Sequence, residues 1–435
     1  MPNNIQNSPR AAACRLLQKI YAGRGYANLA LDAGLGIRDQ ETGSRETRLQ
    51  AADAALCTAL VYGVIERRRT LDYQLEQLLK EPIAKLPVVT LAALRLGLYQ
   101  LFFMDKIPGH AAVGESVELV KQSRAHYTAK LVNAVLRKAQ GRGLQLPAGD
   151  DDYARSVRYA CPAWLCGLWR ESYGDEQAKQ LLAASFDNGQ VVLRANTLKT
   201  SPEALRERLG GERVAGVPEA VALQKAGDVR RLPGFAQGLF HVQDTAAQLC
   251  CKALDPKPGE RIFDLCAAPG GKSFTLAQMM LDQGKIVALD LHPHRLKLVT
   301  EGAARLGIAC IEARAGDAAD AGILAQYGKA DRILCDVPCS GLGILRKKPD
   351  IREKMPQELD KLPEMQYSIL CGAAHLLRAG GTLVYATCTL HPAENEDVCG
   401  RFLQNHPAFE LISQRTLFPH IDHTDGFYFA VCRKR

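Results

Sequence analysis

The chain has 435 residues, too long for one ordinary domain, so two or three domains are expected. Apolar residues make up 47% and charged residues 23%, an ordinary globular composition that excludes disorder over most of the length. The net charge of +8 is uneven: residues 1–140 hold 19 Lys/Arg against 12 Asp/Glu, so nearly all the excess lies in the first third, which suggests a polyanion partner there.

Residues 1–10 are polar and carry no apolar core, so no signal peptide is read and a cytoplasmic location is expected. No stretch is apolar for long enough to cross a bilayer. Residues 1–142 read as a helical domain. Leu91, Leu94, Leu98 and Leu101 fall at helical spacing, as do Leu56, Leu60 and Val64. Arg67, Arg68 and Arg69 form a basic run, a solvated face or a phosphate contact. From Gly141 to Asp152 the composition turns to Gly, Pro and Asp, the signature of a linker.

Residues 150–240 read as a small α/β module. Val191–Ala195 is a short strand, and Ser201 N-caps a helix with Pro202 at its first position. From about 241 to the end, strands alternate with helices. Strands are expected at 261–264, 285–289, 308–312, 332–335, 383–387 and 428–432. That rhythm predicts an open, mostly parallel, doubly wound sheet. Such sheets bind ligands at the carboxyl ends of the strands, where the strand order reverses.

The first of these strands runs into Asp264-Leu265-Cys266-Ala267-Ala268-Pro269-Gly270-Gly271-Lys272. Small residues and two glycines let the backbone pass close to a ligand, and the following helix turns free N–H groups toward it. Neither a phosphate-loop pattern nor a dinucleotide fingerprint is present. An amino-acid carboxylate suits those N–H groups. Asp290 ends the second strand, 19 residues after Gly271, in position to accept from ribose hydroxyls. Asp317 follows the third strand and could accept from an adenine amino group; Asp336 closes the fourth. Singly, each aspartate reads as a cap or turn residue. Together they describe a nucleoside carrying an amino acid, which fits S-adenosylmethionine.

Of 14 cysteines none forms the paired spacing of a zinc site, and most read as reduced, buried thiols, so no metal is expected. Two stand apart. Cys339 lies in Asp336-Val337-Pro338-Cys339-Ser340-Gly341 and Cys388 in Tyr385-Ala386-Thr387-Cys388-Thr389, at adjacent strand ends. Helix N-termini and Lys272 nearby are surroundings that lower a thiol's pKa. A thiolate beside a methyl donor has a chemical use. Carbon 5 of a pyrimidine is a poor nucleophile, and thiolate addition at carbon 6 makes it enamine-like. Asp336 is a candidate to bond the base in that adduct. The residues alone do not choose between the two thiols.

These motifs, with Pro392, Glu394 and Asn395 following the second, resemble the Nol1/Nop2/Sun family of RNA cytosine-5 methyltransferases. Leu131–Arg137, Val242–Gln248 and Lys348–Arg352 extend the resemblance over nearly the whole chain, although Lys348 stands where histidine is expected. The resemblance implies that residues 266–272 hold the methionine end of S-adenosylmethionine, Asp290 the ribose and Asp317 the adenine side. It implies that Asp336 lines the junction with the target base, that Cys388 is the nucleophile and that Cys339 assists release. It further implies a NusB-like RNA-binding fold for residues 1–142, a small α/β RNA-binding domain at 150–240 and a Rossmann-like catalytic domain at 241–435. The NusB-like arm favours 16S ribosomal RNA as substrate over transfer RNA. A monomer is expected. An RNA-binding assembly factor with an idle catalytic domain is the reading outside enzymes.

Overall fold

In the computed structural model the described residues are 8–22, 51–187, 189–224, 226–320, 322 and 326–435; the reading of residues 1–10 falls largely outside them. The chain forms two compact units, Met1–Leu168 with Lys348–Lys354, and Trp169–Lys347 with Met355–Arg435. Among the described residues no helix is long and apolar enough to cross a membrane.

Among its described residues the first unit holds helices and no strand. Its helices span Pro9–Tyr21, Ala51–Glu66, Arg68–Leu78, Val88–Phe103, Gly109–Lys121, Ala129–Arg142 and Asp152–Arg158. The helix Val88–Phe103 is apolar around most of its circumference, which suits a helix surrounded by others. Leu94 and Leu98 from it meet Leu60, Val64, Leu17 and Leu136 in one core. Leu91 and Leu101 pack at its edge, so the spacing read from sequence marks the buried side. The one buried cation of this helix, Arg95, is paired by both nitrogens of its fork with Asp72, at 2.7 and 2.8 Å.

Two expectations change here. The Arg67–Arg69 run is half-buried rather than a solvated face: Arg67 lies 4.8 Å over the Phe103 ring and Arg68 bonds Glu353 at 2.8 Å. The presumed linker is fastened down. The Gln74 amide donates to Gln145 O at 2.6 Å and accepts from Gln145 N–H at 2.9 Å, and Asp151 N-caps the next helix.

In the second unit, β1 (Val191–Ala195), β2 (Glu212–Arg213), β3 (Ala220–Leu223) and β4 (Phe240–Val242) form an antiparallel sheet in the order β2-β3-β1-β4. The helix Pro202–Leu209 begins as its sequence dictates, with Ser201 Oγ accepting from Ala204 N–H. Its Leu205 joins Leu193, Val221 and Phe240 in a small core.

The larger sheet holds β5 (Arg261–Asp264), β6 (Lys285–Asp290), β7 (Ile311–Ala315), β8 (Ala330–Asp336), β9 (Leu377–Thr387), β10 (Phe409–Leu417) and β11 (Phe427–Lys434). Its order is β10-β11-β9-β8-β5-β6-β7, parallel except where β11 pairs with β9 and β10. The chain steps outward from β5 to β7, then restarts at β8 on the other side of β5. The switch point therefore lies between β5 and β8. The third strand sits three residues later than the sequence suggests. The Asp282 carboxylate accepts from the N–H groups of Ala309 and Cys310, which removes them from the ladder. Strand β10 went unread because it is an edge strand with most of its length exposed and no apolar alternation.

Candidate active site

All the singled-out residues of this region lie at or just beyond the carboxyl ends of β5 to β9. The loop after β5 is tied to β6: Ala267 N–H donates to Leu289 O at 2.8 Å and Ala268 N–H to Asp290 Oδ2 at 3.2 Å. Gly270 has φ +107°, and a Cβ there would come within 2.4 Å of the Phe274 ring, so only glycine fits. Helix Gly271–Met279 then starts with no side-chain cap. Its first-turn N–H groups are the donors an α-carboxylate needs. Cys266, Ala267, Ala268, Pro269, Gly270 and Gly271 thus supply backbone rather than side chains, and only Pro269 is exposed.

The charged residues are more committed than the sequence implied. Asp290 is almost fully buried; one oxygen holds Ala268 N–H and the other accepts from His292 N–H at 3.0 Å, with Arg295 within 3.4 Å. A carboxylate has further lone pairs for a ribose, but its first task here is holding the loop. Asp317 is exposed and accepts from Ala319 N–H at 2.9 Å, an Asx turn. Lys272 Nζ bonds Asp336 Oδ2 at 2.5 Å. Burial works against the Lys272 charge, yet the Asp336 carboxylate outweighs it and raises its pKa. Among the described residues the other Asp336 oxygen has no hydrogen-bond partner.

Cys339 Sγ and Cys388 Sγ are 3.3 Å apart, and both residues are half-buried. Their loops are joined by backbone: Gly343 N–H donates to Cys388 O at 3.1 Å, and Gly426 N–H to Gly343 O at 2.9 Å. A Cβ on Gly343 would lie 1.9 Å from Gly426 O, so this crossing requires glycine. For Cys339 the expected lowering of pKa is reversed. The bond to Cys388, burial, and the negative charges of Glu394 and Asp336 push it well above the thiol range. Lys272 is spent on Asp336 instead. Either sulfur could be the donor in the contact between them.

Sequence reasoning missed the group that fixes the loop after Cys339. Lys347 Nζ bonds Asp244 at 2.8 Å and Asp425 at 2.7 Å, while Arg346 bonds Asp425 at 3.0 Å. Asp244 also caps helix Thr245–Leu254. It could have been suspected from the acid before that helix, but its three partners come from distant segments that no local pattern links.

A doubly wound sheet with an uncapped glycine turn at its switch point and acids at neighbouring strand ends defines a Rossmann-like, S-adenosylmethionine-dependent methyltransferase. Known proteins narrow this. A 16S rRNA methyltransferase RsmB/F family matches residues 251–433, the NusB family residues 7–141, and an RsmF/B-like ferredoxin-like domain residues 161–230. The ribosomal RNA small subunit methyltransferase B of Vibrio cholerae is 36% identical over 99% of this chain and 98% of its own. A Synechocystis relative is 38% identical over 98% of this chain and 99% of its own. The crystal structure of PH0851 superposes with TM-score 0.80 at 24% identity over 98% of this chain and 99% of that one, a likeness of fold. The chain belongs to the ribosomal RNA small subunit methyltransferase B family. Its NusB-like, ferredoxin-like and Rossmann-like parts follow one another along the chain.

Proposed function

We propose that this protein methylates carbon 5 of one cytosine in small-subunit (16S) ribosomal RNA, with Cys388 as nucleophile and Cys339 assisting release. The observation that carries the reading is the pair of thiols 3.3 Å apart beside the glycine turn. Methylation of an oxygen or an exocyclic nitrogen needs no nucleophilic thiol; carbon 5 does. Either sulfur could be the donor in their contact, and the resemblance to the RNA cytosine-5 family assigns the nucleophile to Cys388.

The target base must leave its stack or lie in an unpaired loop to reach these strand ends. The Cys388 thiolate adds to carbon 6, and the ring electrons shift to make carbon 5 nucleophilic. Bound S-adenosylmethionine supplies the electrophilic methyl group. Residues 266–272 would hold its methionine end, Asp290 the ribose and Asp317 the adenine side. Asp336 bonds the amino edge of the base through the oxygen that Lys272 leaves open. Loss of the carbon 5 proton to a base then expels the Cys388 thiolate, with Cys339 assisting. The domain limits that accompany this reading are 1–142, 150–240 and 241–435, with a cytoplasmic monomer as the working form.

Two variants test it. Cys388→Ala abolishes methyl transfer to 16S rRNA while S-adenosylmethionine still binds; retained activity overturns the nucleophile. Cys339→Ala accumulates a covalent protein–RNA adduct that survives denaturation; an adduct formed by Cys388→Ala instead reverses the two roles. Bisulfite sequencing of cellular RNA with and without the gene reads the target: one 5-methylcytosine disappears from 16S rRNA.

A further inference from the structure

The residues next to the two thiols touch one another: Ser340 Oγ and Thr389 Oγ1 are 2.6 Å apart. What fixes them is a pair of consecutive residues whose side chains serve different loops. Glu394 Oε2 accepts from Ser340 N–H at 2.9 Å and from Gln366 Nε2 at 2.9 Å, and Gln366 Nε2 also donates to Pro338 O at 2.9 Å. The chain is thus gripped on both sides of Cys339. Asn395 Oδ1 accepts from Thr387 Oγ1 at 2.6 Å, and Asn395 Nδ2 donates to Thr389 O at 3.0 Å. The chain is gripped on both sides of Cys388 as well. Tyr385 OH donates to Glu394 O at 2.5 Å and holds the turn that carries both side chains.

We propose that Glu394 and Asn395 are positioning residues for the methyl transfer, a two-headed clamp that sets the Cys339–Cys388 separation. This rests on the two-thiol reading above. The chemistry requires it, because one sulfur must reach carbon 6 while the other serves the adjoining carbon 5. A drift of about 1 Å in such geometry costs on the order of 100-fold in rate. Both side chains are fully buried, so neither touches substrate. Core packing alone explains Glu394 poorly. Its Oε1 has no hydrogen-bond partner among the described residues, and a buried carboxylate with an unpaired oxygen is costly. Gln would accept the same two bonds through its amide oxygen and carries no charge.

The test uses the full-length enzyme carrying Glu394→Ala, Asn395→Ala and Glu394→Gln, with two readouts. In methyl transfer, both alanine variants lose on the order of 100-fold in kcat, with KM for S-adenosylmethionine unchanged, and Glu394→Gln recovers most of that loss. The second readout needs no catalysis. Diamide, without RNA or cofactor, takes two electrons and both thiol protons and leaves a Cys339–Cys388 disulfide, followed by peptide mapping. The wild type and Glu394→Gln close this bond rapidly, and the alanine variants close it at least ten times more slowly. Where Asn395→Ala does not fold, Thr387→Val removes one clamp bond without changing shape and carries the same comparison. Alanine variants that keep the wild-type cross-linking rate overturn the clamp, whatever their activity. Full activity of Cys388→Ala overturns the two-thiol reading instead, and leaves the cross-linking result standing.

Discussion

At the scale of single residues, Asp264 is a group whose chemistry departs far from its surface behaviour. It ends β5 fully buried, with Oδ2 accepting from Ser273 Oγ at 2.6 Å and Oδ1 without a partner among the described residues. Burial, helped by the negative charge of Asp336, raises its pKa to about 7. The folded value thus lies above the unfolded one near ~4. The stability it contributes is complete below the unfolded pKa and is lost as pH rises through about 7. Asp264→Asn keeps an acceptor for Ser273 and never ionises. Its melting temperature relative to wild type therefore improves from pH 5 to pH 8, by an amount corresponding to a few kcal/mol. Melting curves without cofactor at the two pH values check this. Parallel shifts at both values would remove the ionisation from the account.

At the scale of elements, the charge excess read from sequence is concentrated in and just before one helix. From Lys121 to Arg142 there are six Lys/Arg and no Asp or Glu. Helix Ala129–Arg142 buries Val132, Val135, Leu136 and Ala139 and turns Lys130, Arg137 and Lys138 outward. Tyr127, 71% exposed just before it, offers a ring to an unstacked base. Replacing Lys130, Arg137 and Lys138 together by Ala lowers the slope of log affinity for single-stranded rRNA against log salt by about 2, at ~0.7 per phosphate contact. These side chains are exposed, so the melting temperature stays near wild type. Filter binding at several salt concentrations measures the slope, and an unchanged slope takes this face off the RNA. The contrast with Arg67–Arg69 shows what a sequence conveys. Helical spacing is local, so Leu94 and Leu98 were legible as core. The alternation of strands and helices was legible from the βα rhythm, and the thiols and acids from their strand ends. The partner of Arg68 is Glu353, 285 residues away, and the charges that raise Cys339 come from Glu394 and Asp336. No local pattern separates a basic run that is engaged from one that is free, or reveals the distant charges that act on a thiol.

At the scale of the whole molecule, the N-terminal unit is not a continuous stretch of chain. It takes in Lys348–Lys354, which the sequence runs directly after the loop of Cys339. Within that unit Arg352 is fully buried, donating from Nη1 to Tyr159 O at 2.9 Å and to Cys161 Sγ at 2.8 Å. Glu353 bonds Arg68, Ile351 is buried, and Lys354 O accepts from the Trp164 indole at 3.2 Å. Seven residues from late in the chain therefore complete a core built by the first 168. A fragment ending at Leu168 lacks them and leaves the Tyr159 carbonyl and the Cys161 thiol without their cation. A synthetic peptide of residues 345–357 supplies the missing piece. At a concentration of about 100 times its Kd it stabilises the fragment by about 2.7 kcal/mol, or roughly 5–10 °C for a unit of this size. The same peptide with Arg352→Ala gives little or no shift, because its apolar residues remain but the buried cation is gone. Equal melting of the fragment with and without the wild-type peptide would show that the N-terminal unit closes its core unaided.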